Sequence, residues 1–197
     1  ARRELGLETG MPVVAVLGGS QGASVLNDWA RREMPTLAAE GVQIYCLTGL
    51  GKGAPESHSL RSGAGERVNA VFAAFSDQMS RVMSAADLVV SRAGAGTLAE
   101  LARVGTPAVL IPYPQAADDH QAANAEAFAR EGCGCVVPQE RLAELTATVL
   151  GLLADAEKRA FQREQLGRID RLDSLAFMVA DLEAIADAGK TLPPEAN

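Results

Sequence analysis

From Ser91 to Glu100 the chain reads SRAGAGTLAE, a run of small residues that leaves an apolar stretch and enters a helix-forming one. Residues of these types at this spacing can bind an anion. Gly94 and Gly96 let the backbone approach a ligand closely, while free N–H groups at a helix start, reinforced by the helix dipole, favour negative charge. Thr97, followed three residues later by Glu100, also fits a capping box, in which the two side chains satisfy only the helix's own unpaired amides. Spacing alone leaves both readings open.

Two further segments carry chemistry of the same kind. Gly18 to Gly22, GGSQG, offers the amides of Gly19 and Gly22, the Ser20 hydroxyl and the Gln21 amide to a phosphate or a sugar. It is neither a P-loop nor GxGxxG, and an ordinary strand-to-helix turn explains it as well. In Pro112 to Ala125, PYPQAADDHQAANA, the polar residues His120, Gln121 and Asn124 gather at a helix start. Gln121 and Asn124 share a helix face at i, i+3, so one ligand can meet both. The plainer alternative makes Asp118 or Asp119 an N-cap and His120 a surface residue.

The elements that must position these groups follow from hydrophobic patterning. Short apolar runs at Val13–Leu17, Gln43–Leu47, Val68–Phe72, Leu88–Val90, Ala108–Ile111 and Cys135–Val137 read as strands buried on both faces. Helical stretches at Ala23–Ala39, Asp77–Ala85, Thr97–Val104 and His120–Glu131 alternate with them. This alternation predicts an α/β fold, a Rossmann-like doubly wound parallel sheet of about six strands with helices on both faces. After Pro138 only helical spacing remains, through Leu142, Leu145, Val149 and Leu152 and again from Leu175 to Ile185. Gly49 to Gly65, rich in Gly and Ser, reads as a long loop. In an open parallel sheet, ligands bind beyond the carboxyl ends of the strands near the topological switch point. Three polar loops, each following a buried strand, therefore point to one shared pocket.

Composition excludes several classes. With 197 residues and 48% hydrophobic content, the chain suits one compact domain with a substantial core, or one domain with a helical appendage. A net charge of −7 and the absence of a basic stripe argue against a nucleic-acid partner. No apolar run is long enough to span a membrane, and no signal-peptide layout opens the sequence, so a cytoplasmic location is expected. Three cysteines, Cys46, Cys133 and Cys135, do not form a metal-ligand pattern with His58 or His120, so neither a metal nor another cofactor is expected.

Four ordered motifs support a family resemblance: GGSQGA at Gly18–Ala23, FSDQM at Phe75–Met79, SRAGAGTLAE at Ser91–Glu100 and DDHQAANA at Asp118–Ala125. Together they resemble the C-terminal half of the MurG family, which transfers N-acetylglucosamine from UDP-GlcNAc to a lipid-linked muramyl pentapeptide in peptidoglycan synthesis. The resemblance implies one half of a two-domain GT-B glycosyltransferase. It implies a linker remnant at 1–12, a UDP-sugar-binding domain at 13–155, C-terminal helices at 156–188 and a flexible tail at 189–197. Glu100 matches the carboxylate that accepts from the ribose hydroxyls. Ala95, Gly96 and Thr97 match the turn that meets the diphosphate, with Gly19, Ser20, Gln21 and Gly22 on the facing loop.

Phe75 and Ser76 match the segment that holds uracil, largely through backbone groups at Ser76. Met79 matches a position that caps the cleft, although a helical methionine is equally a core residue. His120 and Gln121 match the pair that reads the sugar hydroxyls, and Asn124 completes that helix face. The resemblance further implies an inverting, metal-independent transfer. The lipid acceptor site, the general base and contact with the inner face of the plasma membrane would belong to an N-terminal half or partner chain. A lipid glycosyltransferase of the same architecture, a UDP-GlcNAc epimerase and a non-catalytic nucleotide-sugar-binding module are the alternatives.

Overall fold

A computed structural model describes residues 1–18, 23–116 and 119–170. Gly19, Ser20, Gln21 and Gly22 lie outside the described residues, as do Asp118, the segment Leu175 to Ile185 and the tail at 189–197. Seven strands form one sheet: β1 (Val13–Leu17), β2 (Gln43–Leu47), β3 (Glu56–Arg61), β4 (Arg67–Ala73), β5 (Leu88–Ser91), β6 (Ala108–Leu110) and β7 (Gly134–Val136). Their spatial order is β3-β4-β2-β1-β5-β6-β7. All neighbours pair in parallel except β3 with β4.

The helices are α1 (Ser24–Ala39), α2 (Met79–Ala85), α3 (Ala95–Val104), α4 (His120–Arg130), α5 (Leu145–Ala154) and α6 (Ala156–Ile169). They divide between the two faces. Leu26, Trp29 and Leu37 of α1 and Leu145, Val149 and Leu152 of α5 pack on one side with Val14, Val16 and Ile44. On the other side, Val82 and Met83 of α2, Leu101 of α3, Ala125 and Phe128 of α4 and Leu166 of α6 pack with Val13, Ala15 and Leu17. Every residue of β1, β2 and β5 is buried, which is why these strands read as continuous apolar runs.

Two expectations change. Within the stretch read as a loop from Gly49 to Gly65, Glu56–Arg61 is an antiparallel edge strand, with Leu60 opposite Val68 and Arg61 opposite Arg67. Its residues alternate between half-buried and exposed, so only Leu60 adds an aliphatic side chain to the inner face. A turn closes the hairpin, with Ser62 N–H donating to Glu66 O and Gly65 adopting φ +84°. Arg31 of α1 fastens the strand by donating from Nε and Nη2 to Glu56 Oε1 at 2.9 and 2.8 Å while its guanidinium sits over the Phe72 ring.

The second change concerns the first twelve residues, read as a linker, which pack onto the sheet. Leu7 is buried, Gln43 exchanges two hydrogen bonds with the Glu8 backbone, and Asn69 donates to Gly6 O. Arg2 reaches Ala85 O, Met11 O and the Asp87 carboxylate. The segment thus covers part of the β2–β4 face, where Tyr45 and Val71 lie.

Candidate functional site

β1 and β5 are adjacent in the sheet, yet the helices that follow them lie on opposite faces. A crevice must open between their carboxyl ends. A cavity of about 410 Å³ lies at this edge, lined by Leu17, Leu47, Gly49, Ala74, Phe75, Ser76, Asp77, Met79, Gly96, Thr97 and Glu100. Six residues singled out from the sequence meet there: Phe75, Ser76, Met79, Gly96, Thr97 and Glu100. Leu17, Leu47, Gly49, Ala74 and Asp77 join them without having been singled out. Their common signal is position, since each lies at or just beyond the carboxyl end of β1, β2 or β4.

The α3 wall has unusual chemistry. The helix starts at Ala95, two residues before the expected start, with Gly94 as its N-cap and no side-chain cap. Thr97 is therefore the third helical residue, and the Thr97/Glu100 pair does not form a capping box. Its first intrahelical bond is Leu98 N–H to Gly94 O, so the amides of Ala95, Gly96 and Thr97 precede the backbone ladder. Glu100 is exposed one turn further on, and its carboxylate makes no hydrogen bond or ion pair among the described residues. A Cβ placed on Gly94 or Gly96 would meet nothing within 4 Å, and neither glycine has a positive φ. The protein's own packing thus demands glycine at neither position, and both keep the surface beside the free amides open.

The opposite wall combines apolar and backbone groups. Phe75 is 57% exposed, unusual for a phenylalanine outside a contact surface, and stands at the lip of the cavity. Ser76 Oγ accepts from Gln78 N–H at 3.1 Å, so its side chain shapes the turn into α2. Met79 packs partly against the core beneath and lines the cavity above.

His120, Gln121 and Asn124 do not line this cavity, nor does Ala95. His120 opens α4 and is exposed, with Asp119 as N-cap at φ +50°. Gln121 Oε1 accepts from the backbone amides of Tyr113 at 3.0 Å and Ala93 at 3.3 Å, and Asn124 Nδ2 donates to Ala93 O at 3.1 Å. These two side chains join the loop after β6 to the turn before α3. Arg92, missed in the sequence, is buried beside them. Its guanidinium donates to Ile111 O, Pro112 O and Gln139 Oε1 and sits over the Tyr113 ring, and burial lowers its pKa. Among the described residues no group of three or more His, Cys, Asp or Glu side chains is placed to hold a metal ion.

Comparison with known proteins gives a consistent result. A profile of the glycosyltransferase family 28 C-terminal domain matches residues 13–172. The UDP-N-acetylglucosamine--N-acetylmuramyl-(pentapeptide) pyrophosphoryl-undecaprenol N-acetylglucosamine transferase of Opitutus terrae is 55% identical over 183 residues, 93% of this chain and 48% of that protein. The protein of the same name from Rippkaea orientalis is 40% identical over 181 residues, 89% of this chain and 50% of its own length. The chain spans about half the length of the curated relatives it matches. Among solved structures, Acinetobacter baumannii MurG superposes with a TM-score of 0.64 at 26% identity, covering 86% of this chain and 48% of that one. The glycosyltransferase VinC in complex with dTDP gives 0.64 at 18% identity over 94% of this chain and 44% of its own, a likeness of fold alone.

Proposed function

The chain belongs to the glycosyltransferase family 28 C-terminal domain family, and on that premise we propose that the crevice between β1 and β5 binds UDP-GlcNAc as the donor site of an N-acetylglucosaminyltransferase. One observation carries the reading. The Glu100 carboxylate, unpaired among the described residues, stands one turn beyond three amides with no side-chain cap, beside a cavity whose other wall includes Phe75, Ser76 and Met79. An ionised carboxylate accepts two hydrogen bonds from a ribose diol. Helix-start amides and the helix dipole suit a diphosphate. Phe75 supplies an apolar surface for uracil, and the Ser76 backbone supplies polar partners for its edge. The family resemblance assigns Gly19, Ser20, Gln21 and Gly22 to the diphosphate, and His120, Gln121 and Asn124 to the sugar.

In the transfer itself an acceptor hydroxyl attacks the anomeric carbon. The bond from that carbon to the diphosphate oxygen breaks with inversion, and UDP leaves. The acceptor's proton passes to a base that we assign, with the lipid-linked acceptor site and contact with the inner membrane face, to the half of the relatives this chain does not match. The chain's own part is to stabilise charge growing on the departing diphosphate with the amides of Ala95, Gly96 and Thr97. Among the described residues no helix is long and apolar enough to cross a membrane.

Calorimetry with UDP, UDP-GlcNAc and ADP, on this chain and on Glu100→Ala, tests the reading. The uridine ligands should bind in preference to ADP, and Glu100→Ala should cost them about 1.5 to 3 kcal/mol, the range for hydrogen bonds to a charged group. Unchanged affinity removes the ribose assignment. Equal affinity for UDP-glucose or UDP-galactose would point to a different sugar specificity within the same architecture.

A further inference from the structure

Ala93 precedes the N-cap of α3, and both of its backbone polar groups are satisfied by side chains of another helix. Its N–H donates to Gln121 Oε1 and its C=O accepts from Asn124 Nδ2, at 3.3 and 3.1 Å. Gln121 and Asn124 stand on one face of α4, roughly thirty residues away along the chain. Gln121 Oε1 also takes the Tyr113 amide at 3.0 Å, which ties the loop after β6 into the same knot. On the far side of the peptide, Arg92 is held by Ile111 O, Pro112 O and Gln139. The two residues leading into α3 are therefore fixed by tertiary hydrogen bonds, while the amides that follow them, at Ala95, Gly96 and Thr97, carry no side-chain cap.

We propose that Gln121 and Asn124 are positioning residues for the phosphate-facing turn: by gripping both polar groups of Ala93 they set where the first amides of α3 point. The inference rests on the donor-site reading above and adds a role that acts through Ala93, separate from any contact with the sugar. The chemistry is asymmetric. Gln121 must present its oxygen to the two backbone amides, and Asn124 must present its nitrogen to the Ala93 carbonyl. Two side chains that could each be flipped in isolation are thus fixed in orientation, Gln121 retaining N–H donors and Asn124 retaining an acceptor oxygen. Alignment of fixed dipoles before the ligand arrives is what an anion site gains from such bracing, because nothing then has to reorganise on binding.

Two substitutions break the grip in different ways. Asn124→Asp sets a carboxylate oxygen against the Ala93 carbonyl, and Gln121→Leu leaves the amides of Ala93 and Tyr113 unpaired. Each variant is titrated with UDP and with uridine, which keeps the base and ribose but lacks the phosphates. Amide hydrogen exchange at Leu98, whose bond to Gly94 O is the first of α3, is followed alongside exchange at Val16 in the sheet. UDP affinity should fall by about tenfold, the scale of a broken hydrogen bond with a partner left unpaired, while uridine affinity stays within about twofold. Leu98 exchange should quicken with Val16 unaffected.

Unchanged UDP affinity overturns the proposal, and so does an equal loss for UDP and uridine, which would mean general damage to the site. If the unsubstituted chain bound neither ligand, the donor-site reading would fail by itself. Exchange at Leu98 still decides the bracing in that case, and a rate unchanged in both variants rejects it.

Discussion

At the scale of single residues, the glycines of the α3 turn separate stability from binding. Gly96 lies in the first turn of the helix with no positive φ, and a Cβ there would meet no protein atom within 4 Å. Alanine can occupy that position without strain. Glycine in a helix costs up to about 1 kcal/mol relative to alanine, so Gly96→Ala should leave stability unchanged or raise it by up to about that amount in urea denaturation. The same methyl group would stand in the open space that the diphosphate is proposed to enter. UDP affinity should therefore fall while the midpoint of unfolding does not. A variant that binds UDP as well as the parent chain would show that no ligand atom approaches Gly96, and the phosphate assignment would move elsewhere.

At the scale of elements, the N-terminal segment is the least expected part of the fold and makes the clearest stability prediction. Leu7 is 3% exposed and lies with Tyr45 and Val71 on the β2–β4 face. Leu7→Ala should cost about 2 to 5 kcal/mol, the range for a buried leucine, read as a lower urea midpoint. A change below about 0.5 kcal/mol, the size of a surface substitution, would mean that the segment is not part of the folded unit. The sequence concealed this packing because two leucines, Leu5 and Leu7, among charged and small residues carry no clear periodicity. It revealed β1, β2 and β5 readily, since strands buried on both faces are apolar throughout. β3 escaped because an edge strand needs only one inward face, and Glu56, His58 and Leu60 supply one that is mostly polar. The sequence points to a start of α3 at Thr97, whereas the helix begins at Ala95 with no side-chain cap. The i, i+3 spacing of Gln121 and Asn124 puts them on one face, but their grip on Ala93 is a long-range contact that local spacing does not encode.

At the scale of the whole molecule, a chain of net charge −7 would have to attract the diphosphate proposed for its crevice. The long-range field opposes it, so the attraction must be short-range and local. The sheet order provides the place: β1 and β5 are neighbours whose following helices, α1 and α3, lie on opposite faces, and the start of α3 lines the crevice that opens at their carboxyl ends. An α-helix start carries roughly half a positive charge, concentrated on its unpaired amides, and the three at Ala95 to Thr97 have no cap to satisfy them. The acidic side chains of the cavity, Asp77 and Glu100, come from different elements, and Glu100 is assigned to the ribose. If helix amides supply the positive potential, a divalent cation is not needed to hold the nucleotide. UDP affinity measured with magnesium and then with an excess of chelator should agree within about twofold, well inside the 1.4 kcal/mol that a tenfold change represents. A loss of more than about tenfold in the chelator would place a cation between Asp77 or Glu100 and the diphosphate. If Glu100→Ala then abolished the magnesium dependence, Glu100 would be a metal ligand and the ribose assignment would fall.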